Sequence, residues 1–272
     1  MENKNKSFRI VLSLVLTLFI NLTTKAQETS KEDSLLPKVH HAEPLFNDLV
    51  RDLGARKGEK EINIGAEFKN NTNNKEYGYL VEYEFAPIDR LGLEVETDFA
   101  FYKSTNHESL KKHSLESLRL SGQYSFYVSE KNKTTLAVGY TQIFEFNEFK
   151  KLKNDKTILG TTYNPFFIAA KNWKDKYHVL IYTGPRFDQE FATSETLFSW
   201  HINTSFHYTL PQGHFIGLEV NQIAHKDKLE TTLHPQVKIQ LNDDLALGLV
   251  AGLPIDNKEE GFSSFFRLIY EL

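Results

Sequence analysis

From about residue 61 to the end of the chain, apolar side chains occupy every second position in short runs separated by polar or Gly/Pro/Asn/Asp turns. Ile62, Ile64, Ala66 and Phe68 alternate with Asn63, Gly65 and Glu67. Tyr77, Tyr79, Val81, Tyr83 and Phe85 alternate with Gly78, Glu82 and Glu84. After the turn at residues 87–90, Leu91, Leu93, Val95, Phe99 and Phe101 alternate with Glu94, Glu96 and Asp98. Leu118, Leu120, Tyr124 and Phe126 face away from Arg119, Ser121, Gln123 and Ser125, and Leu136, Val138 and Tyr140 from Gly139 and Thr141. Side chains of a strand point alternately to its two faces, so each run predicts a strand with one apolar and one polar side. Runs at residues 161–170 and 177–183 alternate less cleanly. The pattern then returns: Trp200, Ile202, Phe206 and Tyr208 against His201, Asn203, Ser205 and His207; Ile216, Leu218 and Val220 against Glu219; Val237 and Ile239 against Gln236 and Lys238. Runs at residues 245–251 and 266–272 complete a set of about twelve strands.

The connections alternate as well. Links such as residues 86–90, 129–133, 171–176, 211–214 and 242–244 are tight, whereas residues 103–117, 146–159 and 184–195 form longer ones. An even number of strands, apolar on one face and polar on the other, with loop length sorted by side, is the pattern of an antiparallel transmembrane β-barrel. A soluble sandwich has no reason to sort its loops this way. The fold class read here is therefore all-β: a barrel of about twelve strands spanning residues 61–272, with both termini on the short-turn, periplasmic side.

The residues before the strands divide in two. Lys4, Lys6 and Arg9 precede a mostly apolar stretch at residues 10–22, and Thr24-Lys25-Ala26 places small residues at a cleavage site. A run that short, so flanked, predicts a signal peptide over residues 1–26. Residues 27–60 form a leader. Within it Leu45, Phe46, Leu49, Val50 and Leu53 fall at helical spacing, Pro44 suits a first turn and Gly54 a C-terminal cap. The spacing predicts a short amphipathic helix over residues 44–53, which plugs the lumen, lies on the periplasmic rim or contacts a partner.

Composition fits this picture and excludes others. Mean hydropathy is −0.43, which alternation produces in barrels as readily as solubility does elsewhere. Aromatic residues make up 13% of the chain, as expected of aromatic girdles. The absence of cysteine excludes disulfides and a lipid-modified cysteine. Residues 1–26 hold four basic side chains and one acidic, so their loss moves the formal charge from −4 to −7. An acidic protein argues against nucleic acid as a partner.

The terminal run Phe266-x-Leu268-x-Tyr270-x-Leu272, the even strand count and the Lys25-Ala26-Gln27 junction resemble outer-membrane β-barrel proteins of Gram-negative bacteria, and the Ala-Gln junction most resembles those of the Bacteroidetes. The stretch His41-Ala-Glu-Pro-Leu-Phe-Asn-Asp-Leu-Val-Arg-Asp-Leu-Gly-Ala-Arg-Lys-Gly-Glu-Lys60 resembles the leader of a barrel family there. The resemblance implies insertion by the barrel assembly machinery through the C-terminal strand, where Leu272 replaces the usual terminal Phe. It brings no catalytic residues.

Candidate chemistry lies on the polar faces. Glu82 and Glu84 on one strand and Glu94, Glu96 and Asp98 on its hairpin neighbour crowd carboxylates within about 4.8 Å strand spacing. Such a wall selects cations or basic solutes in a pore; the alternative is a hydrated lumen wall balanced by Arg119, Lys238 and Arg267. His201, His207 and Glu219 join the lumen-facing set. His201, Asn203 and Ser205 are the residue types of a lipid hydrolase, but steps of about 6.6 Å along one strand are too long for direct hydrogen bonds. His40-His41-x-Glu43 lacks a metal-ligand pattern. No catalytic site, cofactor or metal is expected. The expected partners are outer-membrane lipid, lipopolysaccharide (through Lys111, Lys112, Lys150, Lys151 and Lys153), the assembly machinery and a small polar solute. The functional expectation is a channel for such solutes, with a non-conducting surface-binding barrel as the alternative.

Overall fold

The computed structural model describes residues 36–70, 74–104, 114–147, 157–255 and 261–272. Twelve strands follow one another: β1 (Lys60–Asn70), β2 (Asn74–Ile88), β3 (Leu91–Ser104), β4 (Ser114–Ser129), β5 (Thr134–Phe146) and β6 (Ile158–Trp173). The second half is β7 (Tyr177–Glu190), β8 (Thr196–Thr209), β9 (Phe215–Ala224), β10 (Leu229–Gln240), β11 (Leu245–Pro254) and β12 (Ser263–Glu271). Each pairs antiparallel with its sequence neighbours, and β1 pairs with β12 through Ile62↔Tyr270 and Ile64↔Leu268, closing the barrel. Closure removes every sheet edge, which a membrane-spanning sheet requires because lipid cannot satisfy free backbone groups. The signal peptide expected over residues 1–26 and the loop lysines at positions 111, 112, 150, 151 and 153 lie outside the described residues.

Alternation sets the two faces. Tyr79, Val81, Tyr124, Val138 and Ile216 stand outward and exposed, while Asn63, Glu82, Gln123, Ser205 and Glu219 point inward and are buried. Exposed aromatics gather at both rims: Tyr127, Trp173, Tyr177 and Tyr270 near the short turns, and Tyr77, Phe101, Phe187 and Phe198 near the opposite end. Amphipathic rings favour the two membrane–water boundaries. The β6–β7 turn shows how the short connections are made. Lys174 and Asp175 take φ of 57° and 54°, and Lys176 N–H donates to Trp173 C=O at 3.2 Å, the type I′ geometry that matches strand twist.

The interior is filled at the short-turn end by residues 36–59, which return into the lumen before β1 begins. Leu49, Val50 and Leu53 pack on Ala137, Phe166, Ile168, Ala170, Leu180 and Tyr182. Ala42 and Leu45 pack on Phe215, Ala246, Val250, Phe265 and Ile269. Burying each leucine stabilises this arrangement by about 1.5–3 kcal/mol.

The helix expected over residues 44–53 does not form: the segment runs as bends and turns. Its backbone donors go to the barrel wall instead. Leu45 N–H donates to Gln236 Oε1 at 2.8 Å, Phe46 and Asn47 N–H to the Glu219 carboxylate at 2.9 and 3.2 Å, and Gly54 N–H to Ser125 Oγ at 2.9 Å. Leu53 N–H reaches Glu43 Oε1 at 3.3 Å within the segment. A backbone satisfied this way gains nothing from the i→i−4 ladder, and its apolar side chains are free to face two opposite walls.

Candidate functional site

Residues 46–50 form a floor across the lumen. Above it, toward the end opposite the short turns, lies a cavity of about 810 Å³. Glu94, Glu96, Asp98, Arg119, Arg186 and His201 line it together with Phe166 and Tyr182. Below the floor the lumen is occupied by the segment itself.

The floor divides the acidic wall. Glu94, Glu96 and Asp98 open into the vestibule, whereas Glu82 and Glu84 are sealed at 1% and 2% exposure. Among the described residues, the Lys and Arg side chains lining the vestibule are already paired: Lys69 with Glu67 at 2.8 Å, Arg119 with Glu96 at 3.3 Å, Arg186 with Asp188 at 2.8 Å, and Arg267 with Asp48. Glu94 instead accepts from Ser121 Oγ at 3.0 Å and Asp98 from Ser117 Oγ. Among the described residues, Glu94, Asp98, Glu116 and Glu145 line this space without an ion-pair partner.

Beneath the floor, carboxylates hold the segment. Arg51, 2% exposed, donates Nη1 to Glu61 at 2.8 Å and Nη2 to Glu271 at 2.8 Å, and lies 3.7 Å from Glu84. Asn63 Nδ2 bridges Glu61 and Glu84 at 2.8 and 2.9 Å. Its surroundings keep the Arg51 guanidinium firmly charged: burial opposes the charge, but Asp52, Glu61, Glu271 and Glu84 outweigh it. Asp48 meets Arg267, which also reaches Glu82 at 3.5 Å. Of the three basic residues that the sequence set against this wall, Arg119 pairs with Glu96 and Arg267 with Glu82, whereas Lys238 has no ion pair with it among the described residues; Arg51, which the sequence reading did not name, lies 3.7 Å from Glu84. Among the described residues the acidic groups close enough to share a cation are Asp48/Glu82/Glu84 and Asp52/Glu61/Glu271; Arg267 already bridges Asp48 and Glu82, and Arg51 already pairs with Glu61 and Glu271.

Glu219 is fully buried and accepts four hydrogen bonds, from Phe46 N–H, Asn47 N–H, Asn203 Nδ2 and Gln236 Nε2, at 2.9 to 3.2 Å. His207 sits beside it, 3.1 Å from Gln236 Nε2. Lys238 is half-buried on the inward face of β10. The hydrolase residue types do not assemble: His201 Nε2 meets Ser199 Oγ at 3.1 Å, Asn203 goes to Glu219, and Ser205 Oγ faces the Leu180 carbonyl at 3.5 Å.

Two glycines are cut to the segment. A Cβ on Gly92 would intrude on the Arg51 side chain, and one on Gly248 would lie 3.0 Å from Leu45 Cδ2. The sequence signal for this docking was the weak alternation of the sixth and seventh runs. Ile168, Ala170, Leu180 and Tyr182 make their inward faces apolar because the segment lands there.

Known structures share this architecture. An outer-membrane channel from Pseudomonas putida F1 aligns with a TM-score of 0.63 at 12% identity, covering 88% of this chain and 100% of that one. The NanC porin aligns at 0.56 and 9%, covering 78% and 100%. The KdgM porin, also solved with disordered oligogalacturonate, aligns at 0.55 and 12%, covering 78% and 99%. At such identities the likeness is one of fold: a closed barrel of the outer-membrane channel type. No curated protein matches the sequence. The sequence model of the HAEPLYID-like family matches residues 37–271, and its name, spelled as residues, is met by His41-Ala-Glu-Pro-Leu-Phe-Asn-Asp48 except at Phe46 and Asn47. That stretch forms the first part of the lumenal segment, and the chain belongs to the HAEPLYID-like family.

Proposed function

We propose that this protein is an outer-membrane channel for small polar solutes that favours cations and is held closed at its periplasmic end by residues 36–59. The observation that carries the reading is the vestibule of about 810 Å³, lined by unpaired carboxylates and floored by residues 46–50. A polar lumen has no role in anchoring a barrel, whose lipid contacts are all external. KdgM has been solved with oligogalacturonate, a polyanion; the carboxylate-lined vestibule here favours the opposite charge, since like charges repel strongly where water is scarce. The same reading takes lipid and lipopolysaccharide around the wall, insertion by the barrel assembly machinery, termini in the periplasm and a non-enzymatic role.

The test is planar-bilayer recording from the refolded mature chain, with heat-modifiable gel migration as the check on folding. Discrete openings with cation-selective reversal potentials are expected. Replacing Glu94, Glu96 and Asp98 by their amides should reduce that selectivity, and an unchanged reversal potential would sink the role given to the wall. The extensive bonding of the segment favours a second reading, a permanently closed barrel whose vestibule binds a solute at the surface. Absence of current under all conditions, including after loosening of the segment, would establish that reading instead.

A further inference from the structure

Residues 36–59 are held in part by two buried imidazoles, one of which accepts a hydrogen bond from the segment's backbone. The Ala42 N–H donates to His178 Nδ1 at 3.0 Å, so that nitrogen carries a lone pair. One residue earlier, His41 Nε2 meets Thr135 Oγ1 at 3.0 Å. Both rings are sealed, at 4% and 2% exposure. The remaining nitrogens, His41 Nδ1 and His178 Nε2, are buried without a close hydrogen-bond partner, so a second N–H on His41 finds no acceptor and a proton on His178 Nδ1 meets the Ala42 N–H; the Asp175 backbone lies on the side of His178 that favours protonation. The rings of His40 and His41 stand edge-on to His178 with centroids 6.2 and 6.5 Å away, close enough for imidazolium charges to repel.

We propose that this imidazole pair makes the segment an acid-released gate: protonation of His41 and His178 frees residues 36–54 from the short-turn end of the lumen. The proposal rests on the closed-channel reading above.

The charged groups around the pair are His40, Lys38, Glu43 and Asp52 on the segment, Asp175 in the β6–β7 turn, Lys238 on β10 and His207 on β8. The two carboxylates nearest to serving as counter-ions are already engaged. Asp52 accepts Lys38 Nζ at 3.1 Å and lies 3.6 Å from Arg51, and Asp175 pairs with Lys133 at 3.2 Å. Burial, then His178 and His40, push the His41 pKa down to about 3. A histidine that is free at about 6.5 and neutral when docked weakens docking as pH falls below 6.5, by about 100-fold between pH 7.5 and 4.5 for each ring. Glu43 acts in the other direction: burial, with Asp52 nearby, pushes its carboxyl well above the usual range, so docking that depends on it strengthens as pH falls. Glu219 and Glu271, which also hold the segment, are carboxylates of the same sign as Glu43, so the gate requires the loss of the two imidazole contacts to outweigh them.

The chain has no cysteine, so a spin label on Asn47→Cys reports the floor alone. In the full mature chain in lipid vesicles, the label should be immobile at pH 7.5 and mobile at pH 4.5. In the His41→Gln/His178→Asn background, whose amides keep acceptors without titrating, it should stay immobile at both. Each single substitution should weaken acid release by about 100-fold, which keeps the test open where the double variant does not fold. A label immobile at both pH values in the parent overturns the gate and leaves the closed channel standing. A label already mobile at pH 7.5 overturns both. Release that persists in the histidine variants overturns the assignment to this pair.

Discussion

Glu219 shows at the scale of one residue how the lumen grips its segment. It is a buried carboxylate with no cation at hand, stabilised by four N–H donors, two of them the main chain of Phe46 and Asn47. Removing it strands those donors, and each buried unpaired donor costs about 1–3 kcal/mol. Glu219→Ala should therefore expose the Arg51–Asp52 bond to trypsin in the folded barrel, where Arg51 is otherwise 2% exposed. Glu219→Gln, which keeps one acceptor, should expose it less. Gly92→Ala reaches the same end from the opposite wall, because its Cβ takes the space of the Arg51 side chain. Mass spectrometry of brief digests ranks the three, and intact protection in Glu219→Ala would refute the anchoring role. None of this was legible in the sequence. Glu219 reads as one inward polar residue among many because the Phe46 and Asn47 donors lie 173 and 172 residues away in the chain, and Arg51 meets Glu271 across 220 residues.

Among the elements, legibility tracks environment. The strands were read correctly because lipid and lumen impose opposite polarity on successive residues, so the period of two is written directly into the sequence. The segment at residues 44–53 was misread for a related reason. Leu45, Leu49 and Leu53 do recur at helical spacing, but in the structure Leu45 joins the β9–β12 patch and the other two the β5–β7 patch. A helix would present them on one face. The strand reading makes a prediction of its own. Val138, at mid-β5, is 45% exposed on the outer face, so Val138→Arg should destabilise the folded barrel by about 2–4 kcal/mol. Glu145→Arg, on the same strand but facing the vestibule, should change stability by well under that. Urea titration of lipid-refolded protein measures both, and equal effects would mean the faces are assigned wrongly.

For the whole molecule, the arrangement is polar in the geometric sense: one end is closed by the segment and ringed by tight turns, and the other opens into an acidic vestibule. That asymmetry gives function a direction, because only solute arriving from the open end meets the carboxylates before the floor. Barrels inserted from the periplasm keep short turns on that side; in the proposed orientation the vestibule opens to the cell exterior and the imidazole pair lies near the periplasmic rim. Single cysteines settle the orientation in a chain that otherwise has none. One at Thr193, in the connection between β7 and β8, should react with a membrane-impermeant maleimide on intact cells. One at Asn132, in the turn between β4 and β5, should react only after the outer membrane is opened. The reverse pattern would turn the vestibule toward the periplasm. The histidine gate would then sense the medium outside the cell and the acidic wall would draw solutes outward, making the same structure an exit.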